Sequence, residues 1–567
     1  MDNILQAVHD VAEYSGPSSD SIMPEPGLES GPSPLSHLGF VFGNADFAKA
    51  LDGLNPMPSQ MLFIWQAYVE NVDPFIKVLH VPTVEKVVRE LRGNFSSYGA
   101  NMEALLFAIS LAAITSMNEE AVSFNFNTPK SQLIQRYQFG TEQALARADF
   151  LVTKDIIVLQ ALVIYLSLLP HLGSKEKVWP MMGLVLRLAK SAGLHLDDTI
   201  HTRSQLEVET RRRLWWQICF VDSQSRRAEA PELSITSSSF DTSIPSNLDD
   251  IDLPNGAPSH LPVSHEKPTA TTLCLIRCEL WRLTQSLRDN ITKSPGSHIE
   301  LLNLTKTKIE TKYLRHLQLD RPWDSFIKTM TTLFFSKVEL LVRRQPSSQH
   351  SIKTSLEPVM NTLKSVHALK SNPSWAKWRW QLQGQVPWHA MGVFLRQACH
   401  QPWTPPLEET WQATQELIFS TPESTKSGPM WQSLMKLSAG AQAHRERELG
   451  RQEAEAQPGN RAGDPTSFNA EAAAIIHSHD PITVSASSFQ SSLHISPPDP
   501  GNPLMHQHGM GLHGTSDNPP LWTPAGDMAD FGQVQPSGDI SILDDTSLMD
   551  WEALADMDGS WATWDLF

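Results

Sequence analysis

Basic residues run out long before the chain does. The last is Arg461, and from Ala462 to Phe567 there is no Lys or Arg, while fifteen Asp and Glu are present. The whole-chain net charge of −17 is therefore misleading. Setting those fifteen aside leaves 47 acidic against 45 basic groups, a net of −2 for the body. A body so balanced has no general field to draw it onto nucleic acid. Cysteine is also scarce. The four are Cys219, Cys274, Cys278 and Cys399, with none before Cys219. They make no Cys-x-x-Cys pair and no disulfide framework, and the usage fits a reducing compartment. Cys274 and Cys278, one helical turn apart, read as packing residues.

Long apolar runs are missing too. The longest, "DIIVLQALVIYLSLLP", is interrupted by Gln160 and falls short of the ~20 residues needed to span a bilayer. The opening "MDNILQAVHDVAEYSG" lacks a basic n-region, so it does not read as a secretory signal. A soluble intracellular protein with no membrane partner is the expectation. Catalytic signatures are absent as well: no Gly-x-Ser-x-Gly, His-Glu-x-x-His or P-loop occurs. "GMGLHG" matches Gly-x-Gly-x-x-Gly at Gly509, Gly511 and Gly514, but no strand precedes it and no helix follows. The histidines at 477, 479, 506, 508 and 513 form no ordered ligand set. An enzyme is not expected.

What is present is helical. Residues 1–60 are rich in Ser, Pro and Gly and read as disordered. From 61 to 450 the patterns are helix-like: "QMLFIWQAYVENVDPFI", ended or bent by Pro74, then "MEALLFAISLAAITSM", "SQLIQRYQFGTEQALARAD", "DIIVLQALVIYLSLL", "VWPMMGLVLRLAKSAGLHLD" and "ETRRRLWWQICFVDSQS". None alternates with a period of two, so the fold class is all-α, a large multi-helix body. A Pro/Asn/Asp-rich loop spans Pro245 to Pro268, and weaker helical patterns resume to about Gly450. Residues 451–567 read as a disordered linker and acidic tail.

"ETRRRLWWQICFVD" carries the sharpest question, because Arg beside Trp also describes a surface that grips phosphates and stacks on bases. On a helical wheel, Leu214, Trp215, Ile218, Cys219 and Val221 form one arc and Trp216 and Phe220 fill the rest. A helix apolar on every side belongs in an interior, where bases cannot reach. The arginines are expected in its first turn, meeting carboxylates such as Glu207 or Glu209, with Arg211 covering the Trp215 ring. Packing outweighs DNA contact.

The surrounding order closely resembles the middle homology region of fungal zinc-cluster transcription factors. Gly193-Leu194-His195 ends one helix. Arg211-Arg212-Arg213-Leu214-Trp215-Trp216 opens the next, and Asp222 ends it. A Pro-x-Asn-x-Asp-Asp loop follows at Pro245, Asn247, Asp249 and Asp250. The resemblance is best over 61–255. It implies a nuclear transcriptional regulator whose helical body serves regulation and dimerisation. His195, at a helix end, reads as a cap or packing residue. The resemblance also implies six cysteines holding two zinc ions, and this chain lacks them, so zinc is expected only if a further module exists. Where many members carry Gly-Arg-Pro, this chain has "RRAEAPELSI". DNA is then reached through a DNA-binding partner, such as a dimer with a related factor, or through a missing module.

The tail ends "DISILDDTSLMDWEALADMDGSWATWDLF". Its carboxylates repel one another and hold Leu548, Trp551, Leu554, Trp561, Trp564 and Phe567 in solvent, as in amphipathic disordered activation domains. "SLMDWEALADM" suits folding into a coactivator groove; docking back on the body is the alternative. Two function classes remain open: an activator, of the kind that regulates secondary-metabolite gene clusters, and a helical interaction protein or corepressor that sequesters DNA-binding relatives.

Overall fold

The computed structural model describes residues 51–456, except 92–94, 198–202, 226–233, 254–264, 290–294, 344–355, 384 and 427. Every regular element among the described residues is helical. The first half contains α1 (Pro58–Ala67), α2 (Val81–Glu90), α3 (Ala100–Ser116), α4 (Glu119–Phe126), α5 (Lys130–Arg147), α6 (Ile156–Leu168), α7 (Val178–Ser191) and α8 (Gln205–Gln224). The second contains α9 (Thr272–Asp289), α10 (Pro295–Lys312), α11 (Pro322–Arg343), α12 (Leu356–Ser371), α13 (Trp388–Ala398), α14 (Pro405–Phe419) and α15 (Pro429–Ala456). The all-α expectation holds. Described residues to Glu448 form one compact unit, and Leu449 onward, the end of α15, falls to a second. Of the segments expected to be disordered, 1–60 and 451–567, the described ends carry helix: Asp52–Leu54 forms a 3-10 turn, α1 begins at Pro58 and α15 runs on to Ala456; residues 1–50 and 457–567 lie outside the described residues.

The centre is built from the two most evenly apolar helices. In α3 every residue from Glu103 to Ser116 is buried, and α6 is buried from Val158 to Leu166. Such helices have no solvent face to offer and must be surrounded. Their few polar groups are satisfied locally: Ser110 and Thr115 hydroxyls donate to the carbonyls of Leu106 and Leu111, and buried Glu103 pairs with Arg147 of α5 at 2.9 Å. Side chains cap the helix starts, where amide groups lack partners. Asp155 accepts from the Ile157 amide at 2.8 Å, Asn118 from Ala121 at 2.9 Å, and Ser204 from Glu207 at 3.2 Å.

Two elements differ from the sequence expectation. The continuous pattern through Val72 breaks at Ala67, where α1 gives way to a π-helical turn, Tyr68–Val72. The short helices α2 and α4 are not among the segments expected to be helical, although Val81, Val84 and Val88 of α2 recur at helical spacing. Far along the chain, the 3-10 segment Pro373–Leu382 buries Trp375, Trp378 and Trp380. Trp378 Nε1 donates to the Glu70 carbonyl and Trp380 Nε1 to that of Asn71, each at 3.0 Å. A π-helical turn frees carbonyls from the i→i+4 ladder, and these indoles take them. Phe75 sits edge-on to Trp380, Trp323 and Phe326 at 5.6–6.0 Å.

Two predictions follow from the packing. At Gly140 in α5, a Cβ would lie 2.6 Å from the Phe107 ring of α3. Gly140→Ala is therefore expected to destabilise by about 1–3 kcal/mol despite alanine's better helix propensity. Gly183 in α7 faces open space, and Gly183→Ala is expected to stabilise by about 0.5–1 kcal/mol. Urea midpoints of the two variants should move in opposite directions. His171, edge-on to Trp380 at 5.0 Å, has its pKa lowered from 6.5 to about 4 by burial and then by Lys130. The unfolded chain takes up that proton first, so stability should fall as pH drops from 6.5 towards 4. His171→Phe should flatten this part of the stability–pH curve.

Candidate functional site: a buried ion-pair hub

The residues after the π-helical turn begin the site. Asp73 and Lys77 stand four apart, and Lys77 Nζ donates to Asp73 Oδ2 at 2.6 Å and to Asp250 Oδ2 at 2.9 Å. Arg213 Nη1 donates to Asp250 Oδ1 at 2.5 Å, and the Val81 amide donates to Asp250 Oδ2 at 2.9 Å. The Asp250 backbone carbonyl lies 2.8 Å from His80 Nε2, and His80 Nδ1 lies 2.7 Å from Thr83 Oγ1. A carbonyl only accepts, so Nε2 carries the proton and Nδ1 accepts from the threonine. All four ionic side chains are more than nine-tenths shielded from solvent. Burial opposes ionisation of Asp250, but Lys77 and Arg213 outweigh it and hold the carboxyl well below the usual range. Asp73, with Lys77 but also Asp250 beside it, is pushed up, burial being the main cause.

The loop that delivers Asp250 is pinned along its length. Buried Glu209 accepts from the Ser246 amide at 2.9 Å and the Ser246 hydroxyl at 2.7 Å. Asn247 Nδ2 donates to the carbonyls of His265 and Lys267, and its Oδ1 accepts from Thr269. Asp249 accepts from the Ala270 amide, and Pro245 is buried. Upstream, Trp216 Nε1 donates to the Ser243 carbonyl at 2.9 Å.

Gly193 adopts φ +71°, the left-handed conformation glycine tolerates. The Leu194 amide closes back on Ala189, ending α7. Leu194 is buried, and its carbonyl accepts from Thr242. The His195 ring lies 6.1 Å from Trp215; burial, then Lys190, lowers its pKa.

Arg211, Arg212 and Arg213 occupy the seventh to ninth positions of α8, past its first turn. Each has a different partner. Arg213 takes Asp250; Arg212 takes Asp197 at 2.9 Å and Glu209 at 3.3 Å. Arg211 donates to the Ala192 carbonyl at the end of α7 instead of covering Trp215. Glu207 is held by Arg203 instead of by the triplet. Leu214, Trp215 and Trp216 are fully buried. Trp216 meets Trp281 and Phe240 edge-on at 5.5 and 5.7 Å. The cations over this ring cluster are Arg282 on Trp216 and Arg277 on Phe220. Asp222 is buried two residues before the helix ends at Gln224, so it does not end the helix.

Residues 65–364, more than half of the chain, match the family described as fungal specific transcription factor domain. The chain belongs to that family. It is 26% identical to the aurofusarin cluster transcription factor aurR2 of Gibberella zeae, over 67% of this chain and 59% of that protein. It is 32% identical to the C6 finger domain transcription factor adaR of Aspergillus niger, over 46% of this chain and 33% of that protein. Against the pyriculol/pyriculariol biosynthesis cluster transcription factor 1 of Pyricularia oryzae, identity is 30% over 52% and 38%. The chain thus spans between one third and three fifths of these relatives. The family and these relatives are transcription factors, not enzymes.

The hub lies inside the transcription factor domain and is a structural keystone. Its residues Asp73, Lys77 and His80 escaped sequence reasoning, although "VDPFIKVLH" shows an opposite-charge pair four apart within an apolar run. Cys219, Cys274 and Cys278 are sealed in the interior on α8 and α9 and Cys399 is half-buried, and four thiols do not make up a six-cysteine zinc cluster. No cluster of three or more potential metal ligands occurs among the described residues, and no described helix is long and apolar enough to cross a membrane. The segment 226–233, the linker histidines and the tail residues Leu548, Trp551, Leu554, Trp561, Trp564 and Phe567 lie outside the described residues.

Removing Asp250 takes the ion-pair partner from buried Arg213 and leaves Lys77 with Asp73 alone. Asp250→Ala is expected to destabilise by about 3–5 kcal/mol. Glu85→Ala, which breaks the exposed Glu85–Arg89 pair, should change stability by about 0–1 kcal/mol. Urea unfolding followed by tryptophan fluorescence separates the two.

Proposed function

We propose that this chain is a nuclear activator of a secondary-metabolite biosynthetic gene cluster. The observation that carries the reading is the company it keeps: relatives named as the aurofusarin cluster and pyriculol/pyriculariol biosynthesis cluster transcription factors match 67% and 52% of this chain. The domain acts as the regulatory and dimerisation scaffold. The acidic-aromatic tail recruits a coactivator through Leu548, Trp551, Leu554, Trp561, Trp564 and Phe567. Its carboxylates keep these groups in water until a groove accepts them.

Promoter DNA is reached indirectly, through a DNA-binding partner such as a related zinc-cluster factor, or through a zinc-cluster module carried outside this sequence. No cofactor is assigned to the chain itself. The burial of Trp215 and Trp216 supports the indirect route, because those rings are closed to stacking on bases.

The test is a reporter assay. Residues 462–567 are fused to an unrelated DNA-binding domain, beside a version with Trp551, Leu554, Trp561 and Trp564 changed to Ala. Strong activation that collapses at least tenfold in the substituted tail is expected. An expressed but inactive wild-type fusion would overturn the activator reading and favour a protein that sequesters its DNA-binding relatives.

A further inference from the structure

Helix α7 buries Val178, Met182, Val185, Leu188 and Ala189. Its opposite side carries Trp179, Gly183, Arg187 and Lys190, all exposed and spaced four, four and three apart, so they form one stripe. At 1.5 Å per residue the stripe is about 16 Å long. Trp179 keeps 42% of its surface exposed. At Gly183 an added Cβ would meet nothing within 4 Å. Glycine inside a helix is destabilising relative to alanine, but it leaves a low point over which another backbone can pass closely. Four cations, Lys175, Lys177, Arg187 and Lys190, flank the stripe against one carboxylate, Glu176. Lys175 and Lys177 stand at the N-terminal end of α7, where the helix dipole disfavours positive charge. Arg187 and Lys190 form no ion pair with the described residues.

An exposed indole, a low point beside it and a rim of cations suit an acidic amphipathic segment. The chain contains one. In "DDTSLMDWEALADMD", Leu548, Trp551 and Leu554 recur at helical spacing among six carboxylates from Asp544 to Asp558, and no cation follows Arg461. As a helix, Leu548 to Met557 would cover about 14 Å, close to the length of the stripe. The 91 residues between Ala456 and Leu548 extend to roughly 300 Å, so the segment can reach any face. Attachment to the same chain makes the encounter intramolecular, and the same acidic tail repels nucleic acid from cations it covers.

We propose that the outer face of α7 is the docking site for residues 547–557 of this chain's own tail. Trp551 and Leu554 lie against Trp179 and Gly183, and the carboxylates meet Arg187, Lys190 and the lysines before α7. The docking stands apart from the activator reading, because the fit is one of charge and shape whether or not the tail recruits a coactivator.

The experiment uses the full chain with Trp179→p-benzoylphenylalanine, which keeps a large aromatic side chain at that position. The protein is irradiated and digested, and cross-linked peptides are identified by mass spectrometry. Cross-links from position 179 to residues 546–558 within one chain are expected. Arg187→Glu with Lys190→Glu should cut their yield roughly fivefold or more, and so should Trp551→Ala with Leu554→Ala. Lys306→Glu with Lys312→Glu, the same charge change on the exposed side of α10, should leave the yield within about twofold. Salt at 500 mM instead of 50 mM should lower it roughly threefold. Unchanged melting temperatures establish that the variants are folded. Absence of tail cross-links would overturn the proposal. Equal loss from both charge reversals would overturn it too, by revealing a general field in place of a face. Cross-links between two chains would make the tail of a second copy the occupant. Duplex DNA bound by the full chain and lost in the Arg187→Glu, Lys190→Glu variant, without tail cross-links, would assign the face to nucleic acid instead.

Discussion

One carboxylate with two cations on it, sealed from water, holds together parts of the chain that lie far apart in sequence. Asp250 is 173 residues from Lys77 and 37 from Arg213, and it also engages the backbone at Val81 and the ring of His80. Apolar packing alone is tolerant of sliding by a turn, because one leucine contact is much like the next. Desolvated charges are not tolerant, since a shifted register leaves one of them without its partner. The hub therefore contributes uniqueness more than depth of stability. It fixes the loop of Pro245–Asp250 against α8, and through Trp216 and Glu209 it fixes the turn from α7.

Much of this was legible beforehand, for physical reasons. A helix apolar on all sides declares itself without neighbours, so α3, α6 and the Trp215–Phe220 part of α8 could be placed inside from pattern alone. Gly193 marked the end of α7. The partners of the arginines could not be read, because each partner comes from a distant segment: Asp250 from a loop, Asp197 from the preceding turn, the Ala192 carbonyl from a helix terminus. Local charge reasoning reached for Glu207 and Glu209 as the nearest acids and was right only about Glu209 and Arg212. The start of α2 is fixed where Val81 and His80 meet Asp250, a partner too distant in sequence to be read. The tryptophan-bearing 3-10 segment had no period to betray it.

The same architecture explains why a triplet of arginines beside two tryptophans is poor evidence for contact with nucleic acid. The indoles lie under Phe240 and Trp281, and each guanidinium is aimed inward or along the junction of two helices. What such a domain offers other molecules is its relative rigidity and whatever segments it leaves outside.

The indoles of Trp378 and Trp380 close on carbonyls 308 and 309 residues behind them. At roughly 5–20 residues per second, a ribosome delivers them roughly 15–60 s after Glu70 and Asn71 emerge. Until then the carbonyls of Glu70 and Asn71 lack their indole donors, and Phe75 waits for neighbours at Trp323, Phe326 and Trp380. A nascent chain ended anywhere before codon 378 would be caught in that state. Biogenesis of this domain is thus paced by translation, and its most vulnerable interval is set by the distance between two short aromatic stretches of the message.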